Sequence, residues 1–538
     1  MIESSAAFKE AIRADSRRIY VKAVVDITDP DIQYGEISSS PEAWFSDANQ
    51  LIDKKLSADN GNETLEHNRW LLDGDGGFFP EDKNEIKNEI GYVSEAISGE
   101  DGYFEAPVLI ELSFSNVSVL QAFMIVFSAE ENDGYAKDFA VELSSEDAVL
   151  FSKNITDNFE PVCVFEGFTA EKPSKISIAI TRWSRPERRA RLLEIVPGLF
   201  EEWGNNELAQ FDVTQQADIT NMSIRYGTAQ LKIDNQSKRF TPRNKTGIFK
   251  SLEERQGVEL SVGVKLSDGS TEYKKTGIFY QYEGGWKTSE NGLVITWQLV
   301  DIVGLVSNRE FIVPETLPTT LEGWITAVIA QLGVNFEKKY KVDEAFADLP
   351  VIASGAERVR GRSCGEILRF ACMAVGTWLR ADAETGCLIV EPLKNEGNVL
   401  DLDNMKSFPV IKGNNDLAAL VINVFDESSS EEKRQLVFGG SDTAAENTGN
   451  VDNPFIRTDE AAAAAAQSIL SGYGGNQIET NGRGDPSSEI GDLDVIFVEK
   501  DESTYGRRIK QTLSVVNGVM SNCKSTFLEV GTSEVKER

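Results

Sequence analysis

The side chains that most often perform catalysis are few and scattered in this sequence. The single histidine, His67, lies in the polar stretch Thr64 to Arg69, so imidazole-based catalysis has one candidate. The five cysteines are spread along the chain without CxxC spacing: Cys163, Cys364, Cys372, Cys387 and Cys523. A Cys/His zinc site and a disulfide framework are therefore not expected. No metal and no cofactor is predicted.

One segment has the spacing of a nucleophile elbow, with Ser363 between Gly361 and Gly365. A hydrolase of that kind needs a histidine after the serine, and none follows Ser363. Ser363 followed three residues later by Glu366 also matches a helix capping box, and we favour this interpretation. With 87 carboxylates, acid pairs within reach of each other are expected by chance. No phosphate-binding or dinucleotide-binding motif is present. The sequence therefore predicts a protein that is not an enzyme.

Composition narrows the remaining classes of protein. A chain of 538 residues predicts about three or four domains. No apolar run is long enough to span a membrane, and the N-terminus does not resemble a secretory signal, so assembly in a cytoplasm is expected. The net charge of −33 opposes specific nucleic-acid binding, which needs clustered Lys and Arg. The same charge suits a surface past which DNA slides, although a generally acidic proteome explains it as well.

The pattern of apolar residues predicts a mainly β fold. A short helix at 6–17 precedes a β-rich run at 18–28. From Trp70 to about Trp203 short strands separated by turn residues predict a β-sandwich of about 130 residues. A second β-rich block covers about 209–308. Its predicted strands lie at 227–234, 258–266, 276–282 and 293–300, with a turn at Asp268-Gly269.

Helical patterns appear after the second β-rich block. Thr319 or Thr320 can cap a helix over 321–332, and Ser363 begins a second helix that ends near Gly376. A strand at 387–391 completes a small α+β region. The remainder contains one alanine-rich helix, Asp459 to about Leu470, among predicted strands at 419–425, 434–439, 493–499 and 508–517.

The run from Gly227 to Asn244 resembles a signature of phage tail hub and baseplate proteins. In that family a strand ends in Asn, a short turn follows, and Arg-Phe-x-Pro opens the next segment. The matching residues here are Asn235, Arg239, Phe240 and Pro242. The order of the later elements, from Gly257 to Gly518, resembles the family as well. The resemblance covers about 18–35 and 205–530.

This resemblance implies two tail-tube-like β-barrels, a small α+β domain and an inserted β-sandwich. It implies a homotrimeric ring at the virion tail tip that contacts a distal tail or tail tube protein, a tape-measure protein, and tip or fibre proteins. The implied domains are the following: 1–65, an N-terminal helix and the first strands of barrel 1; 66–203, the sandwich; 204–310, the rest of barrel 1; 311–398, the α+β domain; and 399–538, barrel 2 with the alanine-rich helix.

The predicted insertion has a resemblance of its own. Asn68 to Gly74 and Arg191 to Ile195 look like the edges of a discoidin-type (F5/8 type C) jelly roll, a module that binds sugars or lipid headgroups in other proteins. Trp44, Tyr103 and Trp183 could stack on a host glycan, although burial in a core is the favoured interpretation. A carbohydrate-binding adhesin is thus the alternative function, and a wall-degrading enzyme is a third.

Three other features have two interpretations each. Arg483-Gly484-Asp485 spells an integrin-recognition tripeptide, and we favour a turn before Pro486. The basic cluster at 182–191 could bind an anionic glycan or a neighbouring subunit, and we favour a solvated edge or local carboxylate partners. The alanine-rich helix could form a tight interface or simply reflect helix propensity.

Overall fold

The computed structural model describes most of the chain. The described ranges are 2–41, 48–53, 62–63, 66, 77–78, 91–128, 133–146, 148–236, 238, 240–241, 255–413, 417–425, 433–440, 445–500 and 502–530. The chain divides into two compact units. The first unit comprises Met1–Val24, Glu202–Lys238 and Gly257–Arg538, and the second comprises Val25–Glu201 and Arg239–Gln256.

Most of the regular structure is β, which confirms the predicted fold class. The strands up to the end of the sandwich are β1 Ile19–Thr28, β2 Gln33–Ser40, β3 Asn62–Glu63, β4 Gly77–Phe78, β5 Tyr92–Ile97, β6 Tyr103–Ser115, β7 Val119–Phe127, β8 Ala136–Ser144, β9 Val149–Ile155, β10 Val162–Glu171, β11 Lys175–Trp183 and β12 Arg189–Val196. The later strands are β13 Gly198–Trp203, β14 Leu208–Gln216, β15 Thr228–Asp234, β16 Gly257–Lys265, β17 Thr271–Ser289, β18 Val294–Val300, β19 Tyr340–Val342, β20 Leu379–Ala381, β21 Leu388–Val390, β22 Val399–Leu400, β23 Val410–Lys412, β24 Ala419–Phe425, β25 Lys433–Phe438, β26 Thr448–Val451, β27 Gln477–Gly482, β28 Leu493–Glu499, β29 Glu502–Val516 and β30 Val519–Val530.

The α-helices are few and mostly short. They are α1 Ala6–Arg13, α2 Ile302–Ser307, α3 Leu321–Ile329, α4 Glu344–Ala347, α5 Ala356–Val359, α6 Cys364–Ala374 and α7 Asp459–Tyr473. Thr320 caps α3 through a bond from the Gly323 N–H, and Thr458 caps α7 in the same way through Ala461. The predicted helix at 321–332 therefore begins where expected, and its last turn, Ala330–Leu332, is 3₁₀.

One large sheet organises the first unit. Its strand order is β13-β1-β16-β17-β18-β15-β14-β29-β30-β27-β23, and β28 pairs with β29 and β22. The predicted strand at 18–28 thus lies beside β16, in the same sheet as the predicted β-rich block at 209–308. The Asp268-Gly269 turn between β16 and β17 is present, with Gly269 at a φ of 93°.

A helical core lies in the same unit. α3, α6 and α7 share one buried apolar cluster with strands β21 and β24. Trp324 is fully buried there, and its indole N–H donates to the carbonyl of Val351 at 2.8 Å. Because α7 and β24 belong to this cluster, the predicted boundary at residue 398 does not separate two cores.

The second unit contains the predicted β-sandwich. A five-stranded sheet, β2-β6-β11-β8-β9, and a four-stranded sheet, β10-β7-β12-β5, enclose one apolar core. Its first edge strand is β2, which pairs with β6. The sandwich therefore begins before the predicted boundary at residue 66. The prediction placed the strands of 1–65 in barrel 1, whereas β2 pairs with β6. Most side chains of β2 are exposed, so no apolar alternation indicates the sheet to which it belongs.

Candidate functional site

Asn235 ties the end of β15 to the turn before β18. Its side-chain amide donates to the carbonyl of Gly292 at 2.8 Å, and its N–H donates to the carbonyl of Leu293 at 2.7 Å. Its own carbonyl accepts a bond from the N–H of Lys238 at 3.0 Å. Asn235 is fully buried, and these bonds pair its side-chain NH2, its backbone N–H and its carbonyl at the end of β15. Asn235 is therefore an anchor for a turn.

The other signature residues are only partly described. Phe240 is 6% exposed, which agrees with a packing role. Arg239 and Pro242 lie outside the described residues. The role of the four signature residues as a set stays a prediction.

β14 joins two strand sets in the large sheet. The first set contains β1, β13 and β15 to β18, and the second contains β22, β23 and β27 to β30. β14 pairs with β15 on one side and with β29 on the other, where the register runs from Gln210↔Val516 to Gln216↔Lys510. Side chains add to this seam: the hydroxyls of Thr214 and Thr512 lie 3.0 Å apart. The strands of the predicted β-rich block at 209–308 and those near the C-terminus therefore form one continuous sheet.

Helix α1 bridges the same two strand sets. On one side the Lys274 ammonium, from β17, donates to the carbonyl of Glu3 at 2.5 Å, and the hydroxyl of Ser5 donates to Glu272. On the other side the N–H of Ile2 donates to the carbonyl of Ser487 at 2.8 Å. Phe8 and Ile12 supply the buried face of this short helix. The N-terminal segment thus fastens β17 to the loop that follows β27.

The Arg-Gly-Asp tripeptide belongs to that loop and forms a turn. The Asp485 carboxylate accepts bonds from the N–H and the hydroxyl of Ser487 at 2.9 and 2.6 Å. The Arg483 guanidinium donates to carbonyls at the end of α1, including that of Arg13 at 3.2 Å. The favoured turn interpretation is confirmed, because both charged side chains are engaged within the fold.

Ser363 is a helix cap. Its hydroxyl accepts a bond from the Glu366 N–H at 3.2 Å, and the Glu366 carboxylate accepts one from the Ser363 N–H at 3.0 Å. This reciprocal capping box begins α6, as the sequence indicates. The thiols of Cys364 and Cys372 are buried, and burial raises their pKa to about 11 and about 12. Neither thiol is activated, since a nucleophilic cysteine needs a lowered pKa.

The predicted glycan-contact residues have different environments. Trp183 is 1% exposed in the sandwich core, and its indole N–H donates to the carbonyl of Asp133 at 2.7 Å. A buried ring cannot stack on a sugar, so the favoured core interpretation holds for Trp183. Trp44 lies outside the described residues, as does His67.

Tyr103 is the exposed member of that set. It is 47% exposed, and the Arg182 guanidinium lies 5.1 Å from its ring centroid. Arg182 also lies 3.6 Å from the carboxylates of Asp138 and Asp157. The Tyr103 hydroxyl is 3.5 Å from Asp138. An aromatic ring, a cation and two carboxylates therefore lie together on the surface of the sandwich.

The remaining arginines of the basic cluster are largely inside the fold. Arg188, Arg189 and Arg191 are all buried. Arg191 forms a bidentate pair with the buried carboxylate of Glu66, and its Nε lies 3.5 Å from Asp133. The favoured interpretation of local carboxylate partners fits Arg182, whereas Arg191 does not lie at a solvated edge: it is buried with Glu66. Sequence reasoning missed Glu66 because it is far from Arg191 in the chain.

Within the described ranges, no group of three or more His, Cys, Asp or Glu side chains is placed to hold a metal ion. In the same part of the chain, no helix has the length and apolarity needed to cross a membrane.

Comparisons with known proteins give structural similarities alone. No family model matches the chain, and no curated protein matches its sequence. A tail protein from Neisseria meningitidis MC58 is 11% identical, with 62% of this chain and 94% of that chain covered and a TM-score of 0.41. The 43 kDa tail protein of prophage MuSo2 from Shewanella oneidensis is 15% identical, with 62% and 96% covered and a TM-score of 0.39.

A third similar structure is the E. coli c3393 protein. It is described as a component of the type VI secretion system with structural similarity to the T4 bacteriophage tail proteins gp27 and gp5. It is 11% identical, with 62% of this chain and 75% of that chain covered and a TM-score of 0.36. At such identities and TM-scores, none of these similarities assigns an activity or a partner to this chain.

Proposed function

We propose that this chain is a structural hub protein at the tip of a phage or phage-derived tail. Three copies form a ring that joins the tail tube to tip or fibre proteins. The observation that carries the proposal is the seam at β14, which places two sets of strands side by side in one sheet. In a hub of this kind each subunit supplies two β-rich blocks, so a trimer offers six blocks and a threefold ring can meet a sixfold tube.

The order of sequence elements also supports this proposal. The hub-like signature at Asn235 lies directly after β15, in the first strand set, and the α+β region follows that set in the chain. The discoidin-like character of the sandwich, inserted between β1 and β14, stays a prediction. In the hub, the sandwich would lie outside the ring.

The proposed partners follow from the position of a hub between the tail tube and the tip of the tail. A distal tail or tail tube protein contacts one side of the ring, and tip or fibre proteins contact the other. A tape-measure protein occupies the channel before adsorption. The net charge of −33 disfavours adhesion of passing DNA to the channel wall. This work is geometric and requires no catalysis.

The test combines mass and location for the full-length chain. We expect light scattering to give three times the chain mass, and an antibody against the chain to label the tail tip in electron micrographs of purified particles. A strict monomer that never enters tails would contradict the proposal. A zymogram on bacterial cell wall is expected to be blank, and clearing would favour the wall-degrading alternative.

A second candidate function is carbohydrate binding through the sandwich, as in an adhesin. The observation that favours it is the exposed Tyr103 ring beside Arg182, Asp138 and Asp157, because sugars are bound by aromatic faces together with charged groups. A glycan array with the full-length chain tests it. Binding that is lost in Tyr103→Ala and kept in Val149→Ala supports this function, since Val149 is also exposed but pairs with Ser144, at the other end of β8 from Asp138.

A further inference from the structure

A small cavity lies between helix α1 and the second strand set. Its volume is about 40 Å³, which is room for about three water molecules. Strands β27, β29 and β30 line one side, and Ile12 and Arg13 of α1 line another. The lining is largely polar and includes the side chains of Thr480, Gln511 and Ser525. A polar cavity of this size holds water, whereas an apolar one stays dry.

Arg508 is the charged side chain most deeply buried in the cavity wall. It is 2% exposed, and its guanidinium donates to the Asp494 carboxylate at 2.6 Å and to Gln511 and Ser525 at 2.8 Å. Within the described part of the chain, its Nε–H has no protein acceptor. Buried donors are normally paired, so water in the cavity is the partner expected for this N–H.

Cys523 supplies a thiol to the same wall. It lies on β30 and is 4% exposed. A reagent larger than water therefore reaches this thiol only when part of the wall moves.

Helix α1 is held over the cavity by little apolar surface. It has eight residues and buries two large side chains, Phe8 and Ile12. A helix this short is not stable in water without packing, so these two side chains and a few hydrogen bonds keep it in place. Segments with few buried apolar contacts open at a lower free energy than the strands of a core.

The hydrogen bonds that hold the segment lie at its two ends. The Arg17 guanidinium donates to the carbonyl of Gly484 at 3.3 Å, and the Arg483 guanidinium donates to that of Arg13 at 3.2 Å. Water can replace these bonds when the segment moves away, because both partners become exposed. The strands beneath are paired along their length, as β29 is with β30.

We propose that residues 2–17, which we call the lid, open over this cavity while the sheet beneath stays folded. Opening lifts Ile12 and Arg13 from β29 and β30, admits solvent and exposes the Cys523 thiol. It also releases the tie between β17 and the loop after β27, which the lid makes through Glu3 and Ile2. The lid is a property of the single chain and operates whether or not the chain assembles into a ring.

Thiol labelling of the folded, full-length chain tests the lid. A small maleimide is added in excess, and mass spectrometry follows the labelled fraction of each cysteine-containing peptide with time. Cys372 is the internal reference, because it is fully buried in the helical core and is labelled only when that core unfolds. The time courses are repeated at low urea concentrations, since a local opening exposes little surface and responds weakly to urea.

The variants separate movement of the lid from unfolding of the core. Phe8→Leu and Phe8→Ala loosen the lid in two steps without changing the cavity wall, because Phe8 lies outside that wall. Ile469→Val is the matched control: Ile469 is fully buried in the helical core that holds Cys372. Circular dichroism checks that each variant is folded.

We expect wild-type Cys523 to be labelled at least tenfold faster than Cys372, at a rate that low urea hardly changes. Phe8→Ala is expected to raise the Cys523 rate at least tenfold and Phe8→Leu to raise it less, whereas Ile469→Val leaves it within twofold and speeds the labelling of Cys372. Equal rates and equal urea dependence for the two thiols would overturn the lid, since only global unfolding would then expose Cys523. Fast labelling of Cys523 that neither Phe8 variant changes would overturn it too, because the reagent would enter by another route.

Discussion

Arg17 and Arg483 each donate hydrogen bonds to the main chain of the other's segment. The Arg17 guanidinium donates to the carbonyl of Gly484 at 3.3 Å and to that of Arg483. The Arg483 guanidinium donates to the carbonyl of Arg13 at 3.2 Å and to that of Ala14. Burial lowers the pKa of Arg17, and the nearby positive charge of Arg483 lowers it further. The carbonyl oxygens therefore offset a repulsion between two cations.

This reciprocal arrangement predicts non-additive losses of stability. Arg483→Ala is expected to lower the free energy of unfolding by about 1–3 kcal/mol, because it removes charged hydrogen bonds to α1. In Arg17→Ala/Arg483→Ala the loss is expected to be smaller than the sum of the two single losses, since each side chain supports the segment that the other contacts. Urea unfolding of the four proteins measures the coupling. Strictly additive losses would contradict it.

The buried pair of Glu66 and Arg191 predicts a large effect in the sandwich. Glu66→Gln is expected to destabilise the second unit by about 3 kcal/mol, because it leaves a buried guanidinium without its main countercharge. Asp133, 3.5 Å from Arg191, retains part of the interaction. The control is Glu111→Gln, whose partially exposed pair with Lys175 at 2.8 Å is worth less than about 1 kcal/mol. Equal losses in a urea titration would refute this ranking.

The burial of Asp301 predicts that the stability of the fold depends on pH. Its carboxylate caps α2 and accepts bonds from the N–H groups of Gly304 at 2.8 Å and Gly227 at 2.5 Å. Burial nevertheless raises its pKa to about 7, from the ordinary value of 3.8. The raised pKa favours the neutral acid in the fold, so its stabilising contribution is full below pH 4 and is lost as the pH rises toward 7.

The comparison with Asp301→Asn isolates this effect, because the amide is neutral at every pH. We expect the stability of wild type relative to Asp301→Asn to fall between about pH 4 and pH 7, by up to about 1.4 kcal/mol for each unit of pKa shift, and to level off above pH 7. Asp268→Asn is the control, since the hydrogen bond from the hydroxyl of Ser270 lowers the pKa of the exposed Asp268 below its ordinary value instead of raising it. A flat difference for Asp301→Asn in urea midpoints over this range would exclude the effect.

At Gly472, a substitution by alanine would favour the helix but disturb its packing. In a helix, alanine is favoured over glycine by about 1 kcal/mol. A Cβ at Gly472 in α7, however, would overlap the methyl group of Thr220. We therefore expect Gly472→Ala to lower the melting temperature, and Gly472→Ala/Thr220→Ser, which removes that methyl group, to recover most of the loss. Gln467→Ala, on the exposed side of α7, is the neutral control. A higher melting temperature for Gly472→Ala would contradict the prediction, because it would show that Thr220 can move to accommodate the added methyl group.

Local elements were predictable because their signals lie close together in the chain. The capping box joins Ser363 to Glu366, and the Asp268-Gly269 turn joins two alternating strands, so a few residues specify each. The predicted strand at 419–425 coincides with β24 for the same reason. The edge strand β2 was assigned to barrel 1 and not to the sandwich, because it is polar and its pairing with β6 depends on residues more than 60 positions away.

The mainly β class, the starts of the longer helices and the scarcity of catalytic side chains could all be predicted from the amino-acid sequence. The fold was needed to show which strands are neighbours, such as β14 beside β29, and which charges are buried, such as Arg191 with Glu66. The two groups differ in how far apart the interacting residues lie in the chain. Helix caps and turns are local hydrogen bonds, whereas strand neighbours and buried ion pairs depend on packing between residues that the chain separates widely.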